Sequence, residues 1–182
     1  PTHIVNLAAI SNVGYSWHIP QRTVSINVEG SLNILEAARK NVPTTKLLFI
    51  GSSEEYAEKQ SVIDEKSEIN ANNPYGLSKM MQERFCDIYR DRYKMQIFHV
   101  RSFNHTGVGQ SDMFVIPSWC KQVAEVEHSG NPGLLRVGNL SLQRDFSDVR
   151  DIVRAYRMIL ESEACNEIYN IGSGKSVELK DM

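Results

Sequence analysis

The sequence predicts an α/β fold built on a doubly wound parallel sheet. Short apolar runs at residues 4–8 (IVNLA), 46–50 (KLLFI) and 96–101 (QIFHVR) have the length and texture of strands buried on both faces. Segments with helical spacing separate them, at residues 22–40 and 73–93. A β-α-β-α-β order with buried strands needs crossover connections, and crossovers make the sheet parallel.

Each element has a local reason. Between residues 22 and 40 the apolar positions Val24, Val28, Leu32, Leu35 and Ala38 recur at helical spacing, and Pro43 with Thr44 and Thr45 stops the helix. A polar loop then runs to Asn73. Asn73-Pro74 is a helix start, with Asn as cap and Pro in the first turn. The helix that follows is expected to bury Leu77, Met81, Phe85, Ile88 and the stem of Arg92. After Asn104 the texture changes, with Gly107, Gly109, Gly130 and Gly133 around a helix that carries Ile116, Trp119, Val123 and Val126 on one side. Residues 134–137 and 145–146 read as short strands. Asp148 opens an amphipathic helix whose expected inner face is Val149, Ile152, Val153, Tyr156, Ile159 and Leu160, and residues 168–171 form a last strand. Residues 1–110 read as the later half of a dinucleotide-binding domain and 111–182 as part of a substrate domain, with 148–171 returning to the main sheet.

Composition narrows the function classes. Of 182 residues, 41% are hydrophobic and 23% charged, with 20 Lys plus Arg against 22 Asp plus Glu for a formal charge of −2. This balance argues against a nucleic-acid-binding surface. No apolar run approaches the roughly 20 residues of a membrane span. Cys86, Cys120 and Cys165 are odd in number and far from any metal-ligand spacing, which points to a reducing, cytoplasmic setting and to no metal site. The chain opens Pro1-Thr2-His3 without an initiator Met, and it reads as part of something longer.

Four stretches could carry chemistry. Tyr75 and Lys79 lie four apart, one turn from each other on one helix face. A nearby ammonium and the helix N-terminus both favour phenolate and are expected to lower the Tyr75 pKa; the alternative is a solvated Tyr and Lys. Gly51-Ser52-Ser53-Glu54-Glu55-Tyr56 follows a strand directly, at the edge where α/β sheets bind ligands, although Ser residues there also cap turns. Asn104 and His105, with Gly107 and Gly109, follow the next strand in a loop suited to close approach to a ligand, or in a plain surface turn. Arg144, beside the Gly138-Asn139 turn, could fork onto a diphosphate or pair with Asp145 or Asp148.

In this order and spacing the stretches NLAAI (6–10), NVEGSLNILEAAR (27–39), GSSEEY (51–56), NPYGLSK (73–79), RSFNHTGVGQ (101–110), VGNLSLQRDFSDVRDIV (137–153) and YNIGSGKSVEL (169–179) resemble the extended short-chain dehydrogenase/reductases of the NAD-dependent epimerase/dehydratase family. RSFNHTGVGQ, FVIPSWCKQVAEVE (114–127) and VGNLSLQRDFSDVRD look most like bacterial GDP-4-keto-6-deoxy-D-mannose reductases, with GDP-mannose 4,6-dehydratases next and nucleotide-sugar 4-epimerases behind. The resemblance implies a Rossmann-like sheet and reduction of the C4 ketone of a nucleotide-activated deoxyhexose with NADPH or NADH. It implies Ser52, Tyr75 and Lys79 as catalytic residues. Leu7, Ala8, Ala9 and Phe103 would line the cofactor, again with Tyr75 and Lys79. Ser53, Glu54, Asn104, Val115 and Arg144 would hold the nucleotide sugar. Glu54 stands where the dehydratases keep an acid–base Glu, whereas Ser52 replaces their usual Thr.

The resemblance also implies a homodimer through the 22–40 and 75–93 helices, in which Ile34 and Tyr89 lose exposure only against a second copy. The family's Gly-rich turn and three opening strands have no counterpart in these residues. The isolated chain is therefore expected to expose a sheet edge at residues 4–8, to fold poorly and to be inactive.

Overall fold

A computed structural model describes residues 1–58, 62–163 and 167–182, so Cys165 lies outside the described residues. In chain order the strands are β1 (His3–Asn6), β2 (Lys46–Ile50), β3 (Ile97–Ser102), β4 (Asn104–Thr106), β5 (Gln143–Asp148), β6 (Ile168–Ile171) and β7 (Ser176–Glu178). The helices are α1 (Val13–His18), α2 (Pro20–Val24), α3 (Gly30–Asn41), α4 (Pro74–Tyr93), α5 (Val115–Ser129) and α6 (Val149–Glu161).

The main sheet is parallel throughout, in the order β1-β2-β3-β6. Alternation along its strands feeds two cores. Leu47, Phe49 and Ile97 point to one face and pack with Leu35 and Ala38 of α3 and Cys86 and Tyr89 of α4. Leu48, Phe98, Val100 and Ile171 point to the other and pack with Ile152, Tyr156, Ile159 and Leu160 of α6. Helices thus cover both faces, as a doubly wound sheet requires. Each of these larger apolar side chains contributes about 1.5–3 kcal/mol by leaving water.

A smaller sheet joins β4 parallel to β5 and β5 antiparallel to β7. Asp145 of β5 accepts from the Ser173 amide (2.9 Å), the Ser173 hydroxyl (2.7 Å) and the Gly174 amide (2.8 Å), and so ties the turn after β6 to this sheet. Gly174 has φ +75°, which a glycine adopts without strain.

Several expectations are corrected. β1 lies at the sheet edge, as expected for residues 4–8, but it is not buried on both faces, with Val5 39% exposed. The helix over residues 22–40 is continuous with α2 but contains a π-turn, Ser25–Glu29, before α3. Residues 134–137 form no strand; the Gln122 side chain holds them instead, bonding both the Arg136 amide (2.7 Å) and carbonyl (3.1 Å). On α6, Val149 and Val153 face outward, because the sheet reaches only the stripe through Ile152, Tyr156, Ile159 and Leu160. The largest departure is α4. Leu77, Met81 and Ile88 are exposed, while Tyr75, Ser78, Lys79, Gln82, Glu83, Cys86, Tyr89 and Arg90 are buried. Its inner face is largely polar, because polar partners from β3, the loop after β2 and the preceding helices await it.

Candidate active site

The strands of the main sheet all run the same way, so the segments after β1, β2 and β3 emerge at one edge. Asn73 caps α4 by accepting from the Gly76 amide (2.8 Å), with Pro74 behind it, and this places Tyr75 in the first turn. Ser52, in the loop after β2, lies close enough to the Tyr75 phenol to favour its ionised form. Four residues on, the Lys79 ammonium donates to the Ile50 carbonyl at the end of β2 (2.6 Å). Gly76 permits this contact. A Cβ there would lie 2.3 Å from the Glu54 carbonyl oxygen, so only glycine lets α4 approach the loop so closely.

The loop from residue 51 to 56 is pinned along its length. The Gly51 amide donates to the Val100 carbonyl (2.7 Å), extending the β2–β3 ladder. Ser52 caps a short 3-10 turn, Ser53–Glu55: its hydroxyl accepts from the Glu54 amide (3.2 Å), and its own amide donates to Glu55 Oε1 (2.7 Å). The capping reading of Ser52 therefore holds. Glu54 Oε2 accepts from Asn73 Nδ2 (2.9 Å), and the Tyr56 hydroxyl donates to Asn170 Oδ1 (2.6 Å) and accepts from Arg101 (2.9 Å).

Burial sets the electrostatics. It pushes the Tyr75 phenol up to about 12; the nearby Ser52 hydroxyl lowers it and the charges of Glu55 and Glu54 raise it. This corrects the expected depression by Lys79 and the helix terminus. Burial likewise pulls the Lys79 ammonium down to about 8, against the charge of Glu55. At neutral pH the site therefore presents a protonated phenol beside a hydroxyl, with an ammonium one turn away.

The remaining expected residues lie around this centre. Leu7 and Ala8 are exposed just past β1, with Leu7 at 69%, and Ala9 and Phe103 are half-buried. Asn104 is exposed on β4, in register with Phe146 of β5, and Arg144 is half-buried two residues before Phe146 on that strand. The pairings weighed for Arg144 do not form. Asp145 is taken up by the turn at residues 173–174 and Asp148 by Arg150 (2.6 Å), while Arg144 Nη1 donates to the Gln143 carbonyl (2.8 Å). Ser53 and Val115 are half-buried, on the short turn and at the start of α5.

Sequence reasoning missed two polar clusters. In the first, Asn27 on the π-turn bonds the Ile10 amide (2.8 Å) and carbonyl (2.9 Å) and the Ser78 hydroxyl (2.9 Å), tying the segment after β1 to the Tyr75 helix. Ser31 accepts from Gln82 (2.6 Å) and Asn6 (3.2 Å) beside it. The signal was legible: Thr23, Asn27 and Ser31 are polar residues four apart within an otherwise apolar-patterned helix. In the second, Glu55, Glu83 and His99 are buried with one ligating atom each within 4.8 Å of one another. Both Glu83 oxygens are already held by the Arg101 guanidinium (2.6 and 2.8 Å), which supplies this cluster with a compensating positive charge.

The sequence profile of the GDP-mannose 4,6 dehydratase family matches residues 1–182. The chain is 32% identical over 185 aligned residues to a GDP-6-deoxy-D-mannose reductase of Pseudomonas aeruginosa, covering all of this chain and 61% of that protein. It is 29% identical to a GDP-mannose 4,6 dehydratase of Caenorhabditis elegans, covering all of this chain and 48% of that one. Among solved structures, RMD from Pseudomonas aeruginosa complexed with NADPH superimposes with a TM-score of 0.94 at 31% identity, over 100% of this chain and 63% of that one. A UDP-glucuronic acid 4-epimerase from Bacillus cereus in complex with UDP-glucuronic acid and NAD gives 0.87 at 27%, over 98% and 56%. The chain spans about half to three-fifths of the length of these relatives. The profile match runs the whole length of the sequence, and the chain belongs to the GDP-mannose 4,6 dehydratase family.

Proposed function

We propose that this chain carries the catalytic half of a nucleotide-sugar oxidoreductase that reduces the C4 ketone of a nucleotide-activated 4-keto-6-deoxyhexose, of the GDP-mannose type, with NADPH or NADH. The observation that carries the reading is the convergence of Ser52, Tyr75 and Lys79 at the carboxyl edge of a parallel sheet, with Lys79 bonded to the Ile50 carbonyl at the end of β2. Similarity to a GDP-6-deoxy-D-mannose reductase and to a structure complexed with NADPH supports the same choice.

The nicotinamide would supply hydride to the sugar carbon. Ser52 donates to the ketone oxygen and orients it. Tyr75, protonated because burial raises its pKa to about 12, gives its proton to the alkoxide, which is the stronger base. Lys79, with two N–H groups beyond the one on Ile50, fits a ribose hydroxyl, and the exposed backbone of Leu7 and Ala8 with half-buried Ala9 and Phe103 fits the nicotinamide end of the cofactor. Asn104, Val115, Ser53 and Arg144 would hold the sugar diphosphate, where the guanidinium of Arg144 suits a phosphate fork. Exposed Leu77, Met81 and Ile88 align on the outer face of α4 and support pairing with a second copy. Tyr89 does not take part as expected: it is already buried in the single chain, donating to Glu36 (2.7 Å).

Tyr75→Phe, made in the longest natural polypeptide that carries these residues, tests the reading. Turnover should fall by about 10² or more with nucleotide-sugar binding nearly unchanged. Near-normal turnover would remove Tyr75 from the mechanism.

A second reading rests on Glu54. Asn73 fixes its carboxylate beside the Ser52–Tyr75 pair, and a dehydratase needs such a base for the C5 proton. Incubation with GDP-mannose alone separates the two: a 4-keto product without net use of reduced cofactor favours the lyase.

A further inference from the structure

The loop that carries Ser52 and the helix that carries Tyr75 meet through one imidazole. His99 lies on β3 and is fully buried. Its Nε2 stands 3.2 Å from Glu55 Oε1 and 3.3 Å from Glu83 Oε2. Burial pushes the Glu55 carboxyl up, but His99, the Ser52 amide and Arg101 together hold it below its ordinary value, so it is an acceptor at neutral pH. Glu83 accepts from Arg101 through both oxygens. An Nε2 facing two carboxylates must carry the ring hydrogen; it bonds Glu55, and the Glu83 carboxylate stands beside it without accepting that bond.

The two carboxylates beside the ring belong to different parts of the site. Glu55 Oε1 also receives the Ser52 amide (2.7 Å), closing the capping box that orients the Ser52 side chain. Glu83 lies one turn beyond Lys79 and two beyond Tyr75, on the same face of α4. Contact with the ring is close: a Cβ on Gly51 would sit 2.1 Å from Nε2, so the loop lies directly against the imidazole.

We infer that His99 is a positioning residue for catalysis, whose Nε2–H, donated to Glu55 with the Glu83 carboxylate alongside, fixes the Ser52 loop against α4 in register with Tyr75. The inference rests on the reductase reading for its kinetic consequence, since a hydroxyl misplaced by about 1 Å can lower turnover by about 10². His99 touches neither hydride nor proton transfer. Its effect passes through Glu55 to Ser52.

The test compares His99→Leu, which removes the donor, with His99→Gln, which keeps an N–H, in the longest natural polypeptide that carries these residues. The expected result is a fall in kcat of about 10-fold or more for His99→Leu with KM within about twofold, and recovery to within about fivefold for His99→Gln. A purely structural role predicts no such split and no rescue, and either finding overturns the inference, as does a His99→Leu protein with normal kcat. Should His99→Leu fail to fold, Glu55→Ala cuts the same tie from the loop side. A kcat loss at constant KM then supports the inference and an unchanged kcat overturns it. If the unmodified protein shows no reductase turnover, the functional reading fails, and hydrogen exchange at the Ser52 amide decides the positioning role. Exchange about 10-fold faster in His99→Leu, or in Glu55→Ala, than in His99→Gln supports it, and equal exchange overturns it.

Discussion

Replacing Lys79 by Met should change the pH dependence of stability in a way the structure specifies. The ammonium is 3% exposed and bonds the Ile50 carbonyl, and burial brings its pKa from 10.5 to about 8. That difference amounts to about 3 kcal/mol against the charged form at neutral pH. Between pH 8 and 10.5 the unfolded chain keeps a proton that the folded chain has released, so Lys79 makes stability rise with pH across this window. From pH 7 to pH 10 the rise comes to about 2.5 kcal/mol. Lys79→Met lacks it. Tyr75 acts in the opposite direction above pH 10, because its folded-state pKa is raised to about 12, but both proteins retain that effect and it cancels in the comparison. Urea or thermal unfolding at pH 7 and pH 10, without added nucleotide, measures the difference between the two proteins. It should move by about 2.5 kcal/mol in favour of the unmodified chain, or about 5–10 °C in relative Tm for a chain of this size. A difference that stays constant with pH would refute the burial of a costly ammonium at this position.

Three further outcomes follow from other parts of the site. Gly76→Ala puts a Cβ 2.3 Å from the backbone oxygen of Glu54, which cannot rotate away, so the variant should lose about 1–3 kcal/mol of stability by urea unfolding and part of its turnover. Arg101→Met strips Glu83 of its guanidinium and leaves a buried carboxylate uncompensated; a loss of about 3–5 kcal/mol is expected, and a loss below about 1 kcal/mol would contradict the pairing. Ile88→Asp, on the exposed side of α4, should leave the fold intact by circular dichroism while shifting sedimentation toward monomer; an unchanged sedimentation profile would argue against pairing through this face.

Much of this protein is written locally. The apolar runs that become β2 and β3, the Asn73-Pro74 start of α4, the Asp148 start of α6 and the β-α-β order all follow from side-chain periodicity and backbone chemistry, which act within a few residues. Tyr75 and Lys79 share a face by helical spacing alone. Other features depend on residues distant in sequence. A helical wheel turns Leu77, Met81 and Ile88 of α4 inward, because an isolated helix has no partners for its polar side. In the fold, Ser78 meets Asn27, Gln82 meets Ser31 and Glu83 meets Arg101, so the polar face is satisfied inside and the apolar one remains outside. The charge states follow the same logic. The sequence places Lys79 near Tyr75 and suggests an acidic phenol. Only the tertiary structure shows both groups withdrawn from water, which raises the phenol and lowers the ammonium. Desolvation depends on everything packed around a group, and that information is spread across β2, β3, α4 and the loop between β2 and α4 rather than held in any one of them.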